Sequence, residues 1–206
     1  KHISNFLEEG QKLIFSIPNM EEMLKRKYTN CLNFEHSVFI TEPYIEYLLS
    51  KHGFKQVAKK YFKDDHSIFY AYIKDTKTET IELSTRLYER NKKLYLDFLD
   101  YYKKLIVDLN KIIKEVDPEQ PIYLFGAHVF SQYLIELGLN INHIICLLDN
   151  DINKQGKRLY GTNMMVKAPK VLIDVKNPII ILKAGVYDNE IKRDILENIN
   201  KNAKFL

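Results

Sequence analysis

The stretch Ile122–Pro169, IYLFGAHVFSQYLIELGLNINHIICLLDNDINKQGKRLYGTNMMVKAP, decides the fold. An apolar run, Ile122–Phe125, stops at Gly126. A helical pattern follows, with Val129, Phe130, Tyr133, Leu134 and Leu137 on one face, and Gly138 ends it. A second apolar run, Ile144–Leu148, stops at Asp149-Asn150. Strand, glycine turn, helix, strand and acidic turn make a right-handed crossover between parallel strands. In such sheets small polar ligands bind beyond the carboxyl ends of the strands.

Reading outward, Met164–Val166 and Pro178–Leu182 are further short strands, and Pro169–Ile173 is about one helical turn. Tyr187–Asn200 repeats Ile191, Ile195, Leu196 and Ile199 at helical spacing, and Ala203–Leu206 begins another strand. On the other side, about Thr78 to Val116 contains neither glycine nor proline. Leu83, Leu87, Leu94, Phe98, Tyr101, Leu105, Leu109 and Ile112 recur there at three, four or seven. This reads as one long amphipathic helix, with Asn91 marking a break point. Earlier still, Lys12–Ile17 is a strand, residues 20–28 a helix, and Thr41 the N-cap of a helix running to Lys51. Phe54–Phe62 and Ser67–Lys74 form an antiparallel hairpin. The expected class is α/β: residues 1–76, a connecting helix over 77–118, and a small Rossmann-like parallel-sheet domain over 119–206.

Composition bounds the function. Hydrophobic residues make up 46% and charged residues 28%, enough for a sizeable core. The net charge of +4 is spread thinly, unlike the basic stripe of a nucleic-acid binder. No apolar run is long enough to span a membrane, so neither nucleic acid nor membrane is an expected partner. Cys31 and Cys146 form neither a zinc spacing nor a disulfide framework, which points to a reducing cytoplasm. No metal site is expected, and the oligomeric state is not legible. The first residues read as mid-helix, so the protein is expected to continue upstream.

Three constellations are candidates for chemistry. Gly126, Asp149 and Gly185 close strands that point the same way. Gly126 and Ala127 would let a phosphate approach the backbone, and the first turn of helix 127–137, with His128, would add free N–H groups and the positive dipole end. Asp149, 23 positions after Gly126, stands where a dinucleotide fold places its ribose-binding carboxylate, although Gly-Ala-His-Val-Phe-Ser is not G-x-G-x-x-G. The same features also describe a plain structural crossover. The second candidate is Glu35-His36, since histidine titrates near neutrality and suits proton abstraction; a solvated loop pair is its rival reading. The third is Lys154-Gln155-Gly156-Lys157-Arg158, a phosphate grip or a solvated turn.

Together, FGAHVFSQYL, LLDNDINKQGKRLYGT, VKAP and LKAGVYDNEI resemble the C-terminal domain of bacterial sugar C-methyltransferases over about residues 119–206. EEGQKLIFSIPN and FEHSVFITEPYIEYLLSKHGF resemble the last part of a class I methyltransferase fold, which an antiparallel pair closes. The resemblance implies an S-adenosylmethionine-dependent enzyme acting on a nucleotide-linked deoxysugar. His36 would be general base with Glu35 beside it, and Gly126, Ala127, His128, Asp149, Lys154 and Gly185 would hold the substrate. S-adenosylmethionine would be bound mainly upstream of Lys1, where some members also carry a zinc-binding cysteine cluster. The chain departs from the family pattern at His128-Val129-Phe130-Ser131, at Phe34 and in lacking tryptophan, which leaves the sugar and carbon versus oxygen methylation open. The alternatives are a non-catalytic sugar-nucleotide-binding or structural module, or an O-methyltransferase.

Overall fold

The computed structural model describes residues 2–31, 38–62 and 65–206, with the backbone alone at Asn30 and Val186. The chain divides into two compact units, one of residues 1–26 and 31–98, the other of residues 27–30 and 99–206.

In the first unit, α1 (His2–Phe6) is followed by β1 (Lys12–Pro18), α2 (Met20–Lys25), α3 (Glu42–Lys51), β2 (Phe54–Phe62) and β3 (Ser67–Lys74). β3 lies between β1 and β2 and runs antiparallel to both. The expected hairpin is therefore present, and its last strand is also zipped to β1, Leu13 facing Tyr72 and Phe15 facing Tyr70. Alternation puts Ile68, Tyr70 and Tyr72 on one face, where they bury with Ile45 and Phe54. Phe15 stacks on Tyr70 with ring centroids 5.2 Å apart. Thr41 precedes α3 as expected, but its side chain does not cap the helix; its hydroxyl accepts from Asn91 Nδ2 at 3.3 Å.

The long helix, α4, spans Leu87–Glu115 without a break at Asn91. Its start is nine residues later than the absence of glycine and proline predicts. Residues 78–84 are drawn into other bonds: Thr78 N–H donates to the Asp75 carbonyl, and Ile81 N–H to Ser50 Oγ at 3.0 Å. Ser84 then accepts from the Arg86 and Leu87 amides and nucleates the helix. The buried stripe is also turned by one position. Phe98, Tyr102, Ile106, Leu109 and Ile113 are buried, whereas Tyr101 and Ile112 are exposed. Apolar residues occupy two adjacent stripes, each compatible with a 3.6-residue period, and packing selects one of them.

The second unit holds a parallel sheet of β4 (Ile122–Phe125), β5 (Ile144–Leu148), β6 (Val166–Lys167), β7 (Ile179–Leu182) and β8 (Lys204–Phe205) in the order β6-β5-β4-β7-β8. Helix α5 (Val129–Glu136) makes the first crossover. The order is that of a doubly wound, Rossmann-like sheet: successive strands go one way from β4, then the other. Tyr123, Phe125, Cys146, Leu148, Ile180 and Leu182 form a core on one face, with Ile195 and Ala203. Both faces are covered, since all four residues of β4 and of β7 are buried.

Two elements depart from expectation. Met164 and Met165 precede β6 and pair instead with the returning loop: Leu159 N–H donates to the Met164 carbonyl, and Arg158 bridges Met165 in antiparallel register. The expected helix over 187–200 changes pitch along its length. Gly185–Tyr187 is a 3₁₀ turn, α6 covers Asp188–Asp194, and Ile195–Ile199 is a π turn. Among the described residues, no helix is long and apolar enough to cross a membrane.

Candidate functional site at the strand ends of the second unit

The strand order reverses between β4 and β7, which places a topological switch point beyond Phe125 and Leu182. Both strands end in turns closed by glycines with positive φ, Gly126 at +105° and Gly185 at +63°. A Cβ on Gly126 would lie 3.3 Å from His128 Nε2, and one on Gly185 would lie 3.1 Å from the ring of Tyr28. The fold therefore brings Gly126, Ala127, His128, Asp149, Lys154 and Gly185 to one end of one sheet.

Asp149 organises that end. Its Oδ2 accepts from Ala127 N–H at 2.7 Å and from Lys154 Nζ at 3.1 Å, and its Oδ1 accepts from Asp151 N–H at 2.8 Å. Gln155 Nε2 donates to its backbone carbonyl at 3.0 Å, and its own N–H donates to Lys167. The carboxylate thus clasps the turn after β4 to the loop after β5. These three donors take three of the carboxylate's roughly four acceptor sites, so Asp149 ties the turns together in addition to the ribose-acceptor role expected of it. Lys154 is likewise anchored, with 36% of its side chain exposed, so an ammonium with three donors is held at a fixed place in the mouth of the site.

The first turn of α5 differs from expectation. Of its amides, Ala127 N–H is taken by Asp149, and Phe130 N–H is capped by His128 Nδ1 at 3.4 Å. Buried Ser131 donates to the Gly126 carbonyl, fixing the turn from its other side. His128 caps the helix with its ring beside Gly126. Desolvation there, then the Lys154 ammonium, hold its pKa below the ordinary imidazole value against the opposing pull of Asp149. The imidazole is accordingly neutral at pH 7.

Across the switch point, Asp188 accepts from Ala184 N–H and closes the turn after β7. Burial raises its pKa, partly offset by that bond and by Lys192 and Lys183. In the sequence, its signal is an acidic residue three positions after the glycine that follows an apolar strand.

What the arrangement offers is a hydrogen-bonded rim that carries the Lys154 ammonium and a neutral His128 imidazole. Glu35 and His36 lie outside the described residues. Among the described residues no group of three or more His, Cys, Asp or Glu side chains gathers as a metal-ligand set. No family model matches the chain, and no curated protein matches it.

Proposed function

We propose that the chain is the C-terminal part of an S-adenosylmethionine-dependent methyltransferase acting on a nucleotide-linked sugar, with the second unit holding the sugar nucleotide. The observation that carries this reading is the reversal of strand order at β4 and β7, with glycine turns on both sides of it. A close approach of ligand to backbone is the ordinary use of such a crevice. The antiparallel closure of the first unit's sheet agrees with the sequence resemblance.

In this reading His36 removes the proton from the carbon beside the sugar carbonyl, and Glu35 orients the imidazole. The electron pair left on carbon then forms the new bond to the methyl group. S-adenosylmethionine would supply that methyl group as an electrophile, its sulfonium carbon–sulfur bond breaking and the electron pair leaving with the thioether product. The seven glycines of this sequence stand too far apart to form a G-x-G-x-x-G turn, so the donor is assigned to another part of the whole protein. Lys154 and His128 hold and orient the polar part of the substrate.

Calorimetric titration of this chain tests the assignment. Binding of a dTDP- or GDP-linked sugar, without binding of S-adenosylmethionine, is expected; absence of any nucleotide binding overturns it. Full turnover by the whole enzyme carrying His36→Ala would overturn the base assignment separately. A second reading, a purely structural packing module, is favoured by one observation: Asp149 uses both carboxylate oxygens on donors of the protein itself, in its own loop and in the turn after β4.

A further inference from the structure

The tip of the loop between β5 and β6 is closed by its own hydrogen bonds. Leu159 is buried and donates from its N–H to the Met164 carbonyl at 3.0 Å. Thr162 returns both its N–H and its hydroxyl to the Leu159 carbonyl, each at 3.0 Å, and Met164 N–H donates to the same hydroxyl at 3.1 Å. Gly161 takes φ +78° to make the corner. Gln132 of α5 reaches across and donates to the Tyr160 carbonyl at 2.9 Å, fastening the tip to the helix.

At that tip Tyr160 is 87% exposed. The bonds just described close the loop without the ring, so folding leaves it unused. It stands between two hollows. One, of about 490 Å³, is lined by Arg158, Tyr160, Thr162 and Asn163. The other, of about 330 Å³, is lined by Val129, Tyr133, Glu136 and Tyr160 itself. Both fall within the roughly 300–1,000 Å³ usual for small-molecule pockets. Val129 is the first residue of α5, so the second hollow begins at the strand-end turn and runs along the helix. Gln132, at the level of Tyr160, is about 5 Å along the axis from Val129 at the usual helical rise. That is a short step for a nucleotide.

We propose that Tyr160 is the stacking platform for the base of the nucleotide held by the second unit, with the base in the hollow beside α5 and Arg158 on the phosphate side. This rests on the reading that the second unit binds a sugar nucleotide, and adds where the base sits. An exposed aromatic face accepts any base by stacking, because every base presents a π-face. Glu136 on the hollow's wall accepts from a base N–H, and the guanidinium of Arg158, whose Nη1 is held by Asn163 Oδ1 at 3.3 Å, carries further donors in the geometry that suits phosphate.

The experiment is calorimetric titration of the full chain, wild type, Tyr160→Ala and Tyr160→Phe, with thymidine diphosphate, guanosine diphosphate and inorganic pyrophosphate. Tyr160→Ala is expected to weaken both nucleotides by roughly five- to a hundredfold, the loss typical when an aromatic platform is truncated. Tyr160→Phe is expected to restore binding, and pyrophosphate, which has no base, to be indifferent to either change. Equal nucleotide affinity in wild type and Tyr160→Ala overturns the platform and leaves the nucleotide-binding reading standing. An equal loss for pyrophosphate also overturns it, since the residue would then be acting on the loop. Failure of the wild type to bind either nucleotide overturns both.

Discussion

Removal of the Asp149 carboxylate is the sharpest test of how the strand-end turn is built. In Asp149→Ala three donors lose their acceptor. Ala127 N–H matters most, since Ala127 is buried and its 2.7 Å bond goes to a charged oxygen. A bond to a charged partner contributes about 1.5–3 kcal/mol, and a buried amide cannot recover it from water. Asp151 N–H is partly exposed and finds water, so its loss is about 0.5–1 kcal/mol. The Lys154 pair, with the lysine more than a third exposed, adds at most about 1 kcal/mol. The expected loss is therefore about 2–5 kcal/mol. Asp149→Asn should fall between, because its single oxygen serves one amide while its NH₂ faces another donor. Urea unfolding followed by circular dichroism measures the loss, and hydrogen exchange at the Ala127 amide assigns it to the second unit, since two units need not unfold together. A change below about 0.5 kcal/mol in Asp149→Ala, or an Ala127 amide that exchanges no faster, would refute the clasp.

Ser131→Ala removes a buried donor to the Gly126 carbonyl and should cost about 1 kcal/mol in the same unfolding assay. Gly126→Ala should cost more, about 1–3 kcal/mol, since an L side chain is strained at φ +105° and its Cβ would crowd His128. His128 has a folded pKa below its unfolded value of about 6.5, so the unfolded chain binds the extra proton first. Its contribution to stability is complete above that value and declines as pH falls through it towards the folded pKa; unfolding between pH 7 and 5 should be less pH-dependent in His128→Gln. Burial pushes the Cys31 thiol up to about 12 and raises that of Cys146, so neither should react with a disulfide reagent at pH 7 until the chain is unfolded in urea. Rapid native labelling of either would contradict the packing.

The crossover of the second unit was legible in the sequence. Four apolar residues stopped by Gly126 and five stopped by Asp149 leave few alternatives, because strand length, glycine turns and helical spacing are local properties. The hairpin of the first unit was legible for the same reason. Tertiary structure alone decided the rest. The register of α4 turned on which of two apolar stripes found a partner, and its start turned on Ser50, more than thirty residues away, capturing Ile81 N–H. The role of Asp149 turned on a bond across 22 positions: a carboxylate at a strand end attracts whichever donors lie closest, and folding had already brought Ala127, Asp151 and Lys154 within reach. The exposure of Tyr160 was equally invisible in the sequence, since an aromatic beside a glycine reads alike whether its ring is buried or displayed, and only the folded loop, whose bonds close without the ring, leaves it displayed.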